Sequence, residues 1–382
     1  MKHVLTGSTA LVAVALLVPA AQAADGVKLS IGGRYMAAFG GLAIDDFSAT
    51  PDPSGDLRDY VAKQDVRVYF QGETVLDNGL TVGARVDLRG QTDTSDQIRD
   101  VYAYFSGGFG ELRFGDTSEA LAQLCYLVPS ASALFGADSP NFNFSNAGVI
   151  GYGATNGTCY GVDSNSTKVV YFSPTFAGFH FAASFTPDDT EDTRNTVDGA
   201  ATRFRNDVGQ NSENLSIAGT FTHDFNGVGL TVGGGGTWSF NREQAAADHP
   251  GHRDEYNGYA QVTFAGVTVG GAVSDRINVS NSIGETDALI YGAGATYNWN
   301  AWTVGLGWTH GKYDNVAHPL SVVATPIVGT SDDHDIISFT AAYALGPGIE
   351  LDGVAEYDKY RGSSDGDSFE GLAFGAGTLI NF

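Results

Sequence analysis

From about Val27 to Phe382 one short pattern recurs: roughly ten residues in which an apolar side chain alternates with a polar or small one, a turn, and the pattern again. A period of two puts successive side chains on opposite faces of an extended chain, so each segment is a strand with two unlike faces. The last copy runs Phe369-Glu370-Gly371-Leu372-Ala373-Phe374-Gly375-Ala376-Gly377-Thr378-Leu379-Ile380-Asn381-Phe382 and stops on an aromatic residue. Many such strands without helix signals point to an all-β fold in which the sheet closes on itself.

The N-terminal segment says where that fold would sit. Residues 1–23 read as a secretory signal peptide. Lys2 and His3 make a basic start, Ala10 to Val18 is an apolar run broken by Pro19, and Ala21-Gln22-Ala23 fits small-x-small cleavage. The run is too short to cross about 30 Å of hydrocarbon. The remaining segment, 24–382, is expected to be one transmembrane β-barrel domain. It holds no apolar stretch long enough for a membrane helix. Near-neutral mean hydropathy suits a barrel whose lipid and water faces cancel. The 51 Gly and the 40 Tyr plus Phe suit many strands and tight turns. Formal charge is -24, and losing Lys2 with the signal leaves 19 Lys+Arg against 44 Asp+Glu, or -25. That argues against nucleic-acid binding and draws cations to the surface.

Turn chemistry counts the strands. Asp77-Asn78-Gly79 separates two alternating runs and tolerates positive φ. Comparable short turns fall at 107–110, 173–178, 224–227, 265–266, 298–300 and 346–348. Between them lie long polar stretches near 41–63, 91–97, 116–167, 187–213, 241–253, 278–285, 312–332 and 361–367. Eight long loops alternating with seven short turns imply a 16-stranded antiparallel barrel with long outer loops and short periplasmic turns. Sixteen strands leave a water-filled lumen. A soluble sandwich also alternates, but it has no need of this loop asymmetry. The alternation assigns Leu80, Val82, Ala84, Val86 and Leu88 to lipid, with Thr81, Gly83, Arg85, Asp87 and Arg89 to water. It does the same for Trp302, Val304, Leu306 and Trp308 against Thr303, Gly305, Gly307 and Thr309. Phe176, Phe179, Phe225, Trp299, Trp302 and Phe382 are placed at the turn-side membrane edge. Cys125 and Cys159 both lie in the longest loop; a disulfide stapling it is expected, the alternative being two free buried thiols.

Several segments resemble the Gram-negative general (trimeric) porins of the outer membrane. Val27-Lys28-Leu29-Ser30-Ile31-Gly32-Gly33-Arg34-Tyr35 is similar to the family's opening strand. Ile98 to Phe105, followed by Gly108-Phe109-Gly110-Glu111-Leu112-Arg113-Phe114-Gly115, resembles a strand–turn–strand unit of that family. Tyr171-Phe172-Ser173-Pro174-Thr175-Phe176-Ala177-Gly178-Phe179 is similar to its segment after the third loop. The resemblance implies a homotrimer in the outer membrane of a Gram-negative bacterium, in contact with lipid and lipopolysaccharide. It implies a third loop, here Asp116–Thr167, folded into the lumen. It also implies that Phe382 is the closing aromatic read by the barrel-assembly machinery.

In that family acidic loop residues face a basic wall across the constriction. Arg34, Arg67, Arg85, Arg89 and Arg113 fall on water-facing positions of the early strands and are the candidate wall. Asp116, Glu119 and Asp138 are the candidate loop acids. The alternative is that the arginines are solvated or pair with Asp87 and Glu73. Opposed charges across a narrow pore favour small polar solutes. The expected function is passive diffusion of small hydrophilic solutes and ions, weakly cation-selective because of the acidic net charge. The arginine patch supports the alternative, a substrate-selective channel for anions such as phosphate, or for a sugar. A barrel hydrolase or adhesin is the remote alternative: Ser239 and His310 are available, but no third group accompanies them. No enzyme activity and no cofactor are expected, beyond Ca²⁺ on acidic outer loops with no site assigned. His249 and His252 beside Asp248, Asp254 and Glu255 read as a solvated loop tip, with a metal site as the alternative, and Asp188-Asp189 with Glu191-Asp192 and Asp332-Asp333 with Asp335 are examples of acidic loops with oxygen ligands for Ca²⁺ but without the spacing of an EF-hand. Gly233 to Gly236 lacks the helix start and Lys of a phosphate cradle.

Overall fold

The computed structural model describes residues 26–47, 58–90, 97–145, 156–159, 161, 165–188, 211–242, 253–277, 287–314, 331–362 and 368–382. The expected signal segment, the His249–His252 tip and Asp189 to Asp192 lie outside them. Sixteen strands follow in order. The first eight are β1 (Lys28–Phe47), β2 (Tyr60–Val75), β3 (Thr81–Arg89), β4 (Ile98–Gly107), β5 (Gly110–Asp116), β6 (Thr167–Phe172), β7 (Phe179–Asp188) and β8 (Asn211–Asp224). The rest are β9 (Val228–Arg242), β10 (Asp254–Phe264), β11 (Val267–Ile277), β12 (Ala288–Trp299), β13 (Trp302–Asp314), β14 (Ser331–Gly346), β15 (Ile349–Arg361) and β16 (Ser368–Asn381). Each strand pairs antiparallel with its sequence neighbours, and β1 pairs with β16, so the barrel has no free edge. Closure matters in lipid, where an unpaired backbone group has no water to bond. The seam is finished by Gly33 N–H to Phe382 O (2.8 Å) and Phe382 N–H to Gly33 O (3.0 Å).

All seven short turns stand where turn chemistry puts them. In the first, Gly79 has φ +80°, and Asn78 Oδ1 accepts the Leu80 N–H at 3.0 Å. The turn expected at 298–300 tightens to Asn300-Ala301, because Trp299 pairs directly with Trp302. The outer loop expected over 41–63 is shorter, since β1 runs on to Phe47. Gly41, the expected start of that loop, pairs with both Phe374 and Tyr60. A Cβ at Gly40 would stand 2.6 Å from the Phe144 ring, so this glycine makes room for a close neighbour.

The faces follow the alternation. On β13 Trp302, Leu306 and Trp308 are exposed to the outside, while Thr309 is fully buried within the lumen. The turn-side aromatics Phe176, Phe179, Phe225, Trp299, Trp302 and Phe382 are all exposed. Their rings pair across strands, Phe179 with Phe221 at 4.6 Å and Trp302 with Tyr343 at 4.7 Å. At the opposite end of β13–β16 the outer face changes row by row. Leu306, Phe339, Ala355 and Phe374 form one row, then Trp308, Ile337, Tyr357 and Leu372, then His310, Asp335, Lys359 and Glu370. The last row is ion-paired, His310 Nδ1 to Asp335 at 2.9 Å and Lys359 to Glu370 at 3.0 Å. Apolar, aromatic, then charged is the profile of a hydrocarbon edge.

Candidate functional site: the loop-narrowed lumen

The described parts of the connection from β5 to β6 lie inside the barrel. The connection opens with one turn of helix, α1 (Ala120–Leu124). Ala120 N–H donates to Ser184 Oγ at 3.0 Å and Leu121 N–H to Ser216 Oγ at 2.9 Å, which hangs the helix on β7 and β8. Tyr259 of β10 donates to Leu124 O at 2.7 Å. Further on, Ala131 N–H meets Thr340 Oγ1 (3.0 Å) and Thr309 Oγ1 donates to Ala137 O (2.7 Å). The returning limb is held by Asn156, which donates to His334 O at 2.9 Å and accepts from Tyr313 at 2.7 Å. Leu134, Phe135, Phe142 and Phe144 pack with Met36, Ala38, Val354 and Ala373 into an apolar cluster across β1, β15 and β16. Lys63 of β2 donates to Asn143 O. The described parts of the loop are therefore welded to the wall from β7 round to β1.

Inside the loop Cys125 and Cys159 form a disulfide with Cα atoms 5.8 Å apart. Next to it Asp138 accepts from Val128 N–H (2.8 Å), Thr158 N–H (2.8 Å) and Thr158 Oγ1 (2.5 Å), joining the same two limbs. The expectation that Asp138 and Glu119 present charge to the pore is not met. Asp138 is 5% exposed and Glu119 is 0% exposed. Asp116, at the loop's root, accepts the Thr167 hydroxyl at 2.5 Å. A short carboxylate on a tightly folded loop finds its best partners in that loop's own N–H groups. Lys168, which alternation alone did not single out, is buried and donates to Thr117 O (2.5 Å) and Ser166 O (2.6 Å), closing the loop at its base.

The open part of the lumen lies against the arc β2–β5. A cavity of about 340 Å³ is lined there by Arg67, Tyr69, Arg85, Asp87, Arg99, Asp100, Tyr102 and Arg113, and on the loop side by Thr117, Ser118 and Gln123. Cross-strand register puts Arg34 beside Arg67 and Arg67 beside Arg89 on the same face. Arg34 donates to Asp65 at 2.9 Å, while Arg89 keeps that face without lining the cavity. Arg99 is the arginine that alternation misses. Asp87 pairs with Asp100 but Leu88 with Ile98, so Arg99 is the extra residue of a β-bulge. A bulge re-aims the side chain that strict parity would send outward.

The carboxylates facing these arginines come from the strands, not from the loop. Arg85 Nε reaches Asp87 at 2.8 Å, Arg99 reaches Asp100 at 2.9 Å, and Arg113 Nε reaches Glu111 at 2.5 Å. Aromatic faces hold two guanidiniums flat: Arg85 lies 4.4 Å from the Tyr69 ring centre, and Arg113 lies 5.0 Å from Tyr102 and 4.7 Å from Phe172. Glu73 is occupied elsewhere, accepting the Tyr104 hydroxyl at 2.7 Å.

Other candidates are dispersed. Ser239 points into the barrel and is buried, whereas His310 lies in the outward charged row, so they cannot act together. Asp332 faces inward, accepting from Tyr360, and Asp333 and Asp335 face outward toward His310. Among the described residues no three metal-ligating side chains converge.

A closed sixteen-stranded barrel, apolar outside, with a loop pinned in a charged lumen, is the architecture of an outer-membrane porin. The Gram-negative porin profile matches residues 7–363, and the chain belongs to that family, whose place is the outer membrane. It is 27% identical over 231 residues to a chitoporin of Vibrio furnissii, covering 56% of each chain. It spans about half the length of the curated relatives it matches. Among solved structures it resembles trimeric OmpT of Vibrio cholerae, with TM-score 0.57 and 14% identity over 94% of this chain and all of that one. It also resembles an anion-selective porin from Comamonas acidovorans, with TM-score 0.56 and 16% identity over the same shares.

Proposed function

We propose that this protein is a passive channel for small hydrophilic solutes, working as a homotrimer with one pore per subunit. The observation that carries the reading is the cavity left between the pinned loop and the arc β2–β5. It is polar on every side, and the loop is anchored too widely to swing clear. Solutes pass by exchanging water for guanidinium, carboxylate and tyrosine hydroxyl contacts, which apolar molecules cannot make. Trimerisation is supported by the family and by the trimeric relative; native electrophoresis before and after heating tests it. Lipopolysaccharide against the outward charged rows, and recognition of Phe382 during assembly, belong to the same reading.

The net charge supports a weak cation preference set at the mouth. The lining of the cavity favours the opposite: four guanidiniums against two carboxylates. The narrowest charge dominates selectivity, so anion preference is the second reading and the one the cavity supports. Reconstitution into planar bilayers tests both. Discrete ohmic openings are expected, and the sign of the reversal potential in a salt gradient chooses between them. Refolded trimers that never conduct would sink the channel.

A further inference from the structure

The arginine cavity has the makings of a binding site as well as of a passage. Three of its guanidiniums are held by one acid each, through Nε or a single terminal nitrogen, or in Arg85 by a fork that still leaves Nη1 free. Arg67 is different. Its buried Nε lies 3.3 Å from Asp65, which also takes Arg34, but makes no hydrogen bond among the described residues. It stands between Arg34 and Arg89 in the ladder and shares the cavity with Arg99. Such crowding of like charge is costly unless an anion fills the gap. Around the cavity Asp65, Asp87, Asp100 and Glu111 answer four of the six guanidiniums of Arg34, Arg67, Arg85, Arg89, Arg99 and Arg113, which leaves two positive charges unbalanced. The stacked rings under Arg85 and Arg113 hold their forks in place before any ligand arrives, which lowers the ordering cost of binding. At about 340 Å³ the cavity is at the small end for ligand sites.

We propose that this cavity is a saturable site for a small dianionic oxyanion, divalent phosphate or a short dicarboxylate, gripped chiefly by Arg67 and Arg99 and occupied in transit. The inference rests on the channel reading, and it changes what the channel does: one class of solute binds on its way through. Monoanions leave one charge unanswered and pass without being held. Glutamine at Arg67 or Arg99 removes a fork without adding bulk.

Chloride current through single channels is measured at fixed ionic strength while sodium phosphate, sodium succinate or sodium acetate replaces part of the salt. Phosphate, succinate or both lower the current along a curve that saturates, and acetate does not; which dianion does so identifies the source. Arg67→Gln and Arg99→Gln each move the half-effect concentration up by about tenfold, the weight of one lost charge-assisted contact. Lys359→Gln, on the outward face of β15 and away from the cavity, leaves it in place. Titration calorimetry of the detergent-solubilised trimer reads the same site without conduction, at one dianion per subunit. Heat-modifiable mobility checks that each variant folds, and Arg67→Lys, which keeps charge and loses the fork, replaces any that does not. The proposal is overturned if both dianions act linearly like acetate and release no binding heat, or if the glutamine variants leave the midpoint unchanged. Wild-type trimers that never conduct yet bind phosphate would sink the channel reading alone.

Discussion

The lumen has two charged walls of opposite fate. The arc β2–β5 presents Arg67, Arg85, Arg99 and Arg113 to an open cavity, each guanidinium partly solvated. The arc β14–β15 also carries ionisable groups on inward positions, Asp332, His334, Asp352, Glu356 and Asp358, all at most 5% exposed. The folded loop lies over the second wall and leaves a cavity against the first, touching it where Gln123 accepts from Arg113 at 2.8 Å. His334 Nε2 meets Asp358 at 2.6 Å, Tyr360 donates to Asp332, and Asn143 of the loop reaches Glu356 at 3.5 Å. Inward polarity is thus not one property. On one wall it meets water and solute; on the other it is consumed in holding the loop. The transverse field expected between loop acids and wall arginines becomes a field between arginines and the acids of their own strands, with the remaining acids screened behind the loop.

Uncovering the second wall is the strongest way to break this contrast. Replacing residues 126–158 by a short Gly-Ser link should raise single-channel conductance by about threefold or more and move selectivity toward cations, as Asp352, Glu356 and Asp358 join the lumen. An unchanged reversal potential would mean that the buried acids carry no charge. Removing one buried partner is the next largest effect. His334→Ala leaves the Asp358 carboxylate without its donor and should cost about 3 kcal/mol, read as a lower melting temperature of the trimer. Arg85→Gln on the open wall, whose guanidinium is 30% exposed, should cost less than about 1 kcal/mol in the same assay. The disulfide spans a sequence separation of 34. Cys125→Ser with Cys159→Ser should destabilise the loop by at most about 3–4 kcal/mol, with less in practice because its two limbs are also joined by Asp138. Its readout is current noise rather than loss of the barrel. The smallest effect belongs to Arg89→Gln, which should change conductance by less than about a fifth, because Arg89 stands outside the cavity.

How much of this was legible depended on whether a feature repeats. The strand count, the barrel, the two faces and the seven turns follow from local periods that every copy restates, and Asp77-Asn78-Gly79 is readable alone. The membership of the arginine wall was mostly legible, since Arg34, Arg67, Arg85, Arg89 and Arg113 keep parity. Arg99 was not, because one extra residue opposite Leu88 breaks the period, and no local signal marks a bulge. Glu119 and Asp138 were misread because their partners, such as Thr158 for Asp138, are set by the path of the loop. The loop near 41–63 is shorter than its composition suggests because β1 continues to Phe47, and Gly40 within it makes room for Phe144, about a hundred residues away.

By itself the sequence determined which residues face lipid and which face water, where the chain reverses, and that one loop is too long for a simple connection. Those are consequences of side-chain period and backbone freedom, which act over a few residues. Only the tertiary structure decided which water-facing charges stay wet. That choice belongs to the loop, whose course is settled by hydrogen bonds to Ser184, Ser216, Thr340 and Thr309 and by the packing of Phe142 and Phe144. These contacts link residues far apart along the chain, and no local pattern encodes them.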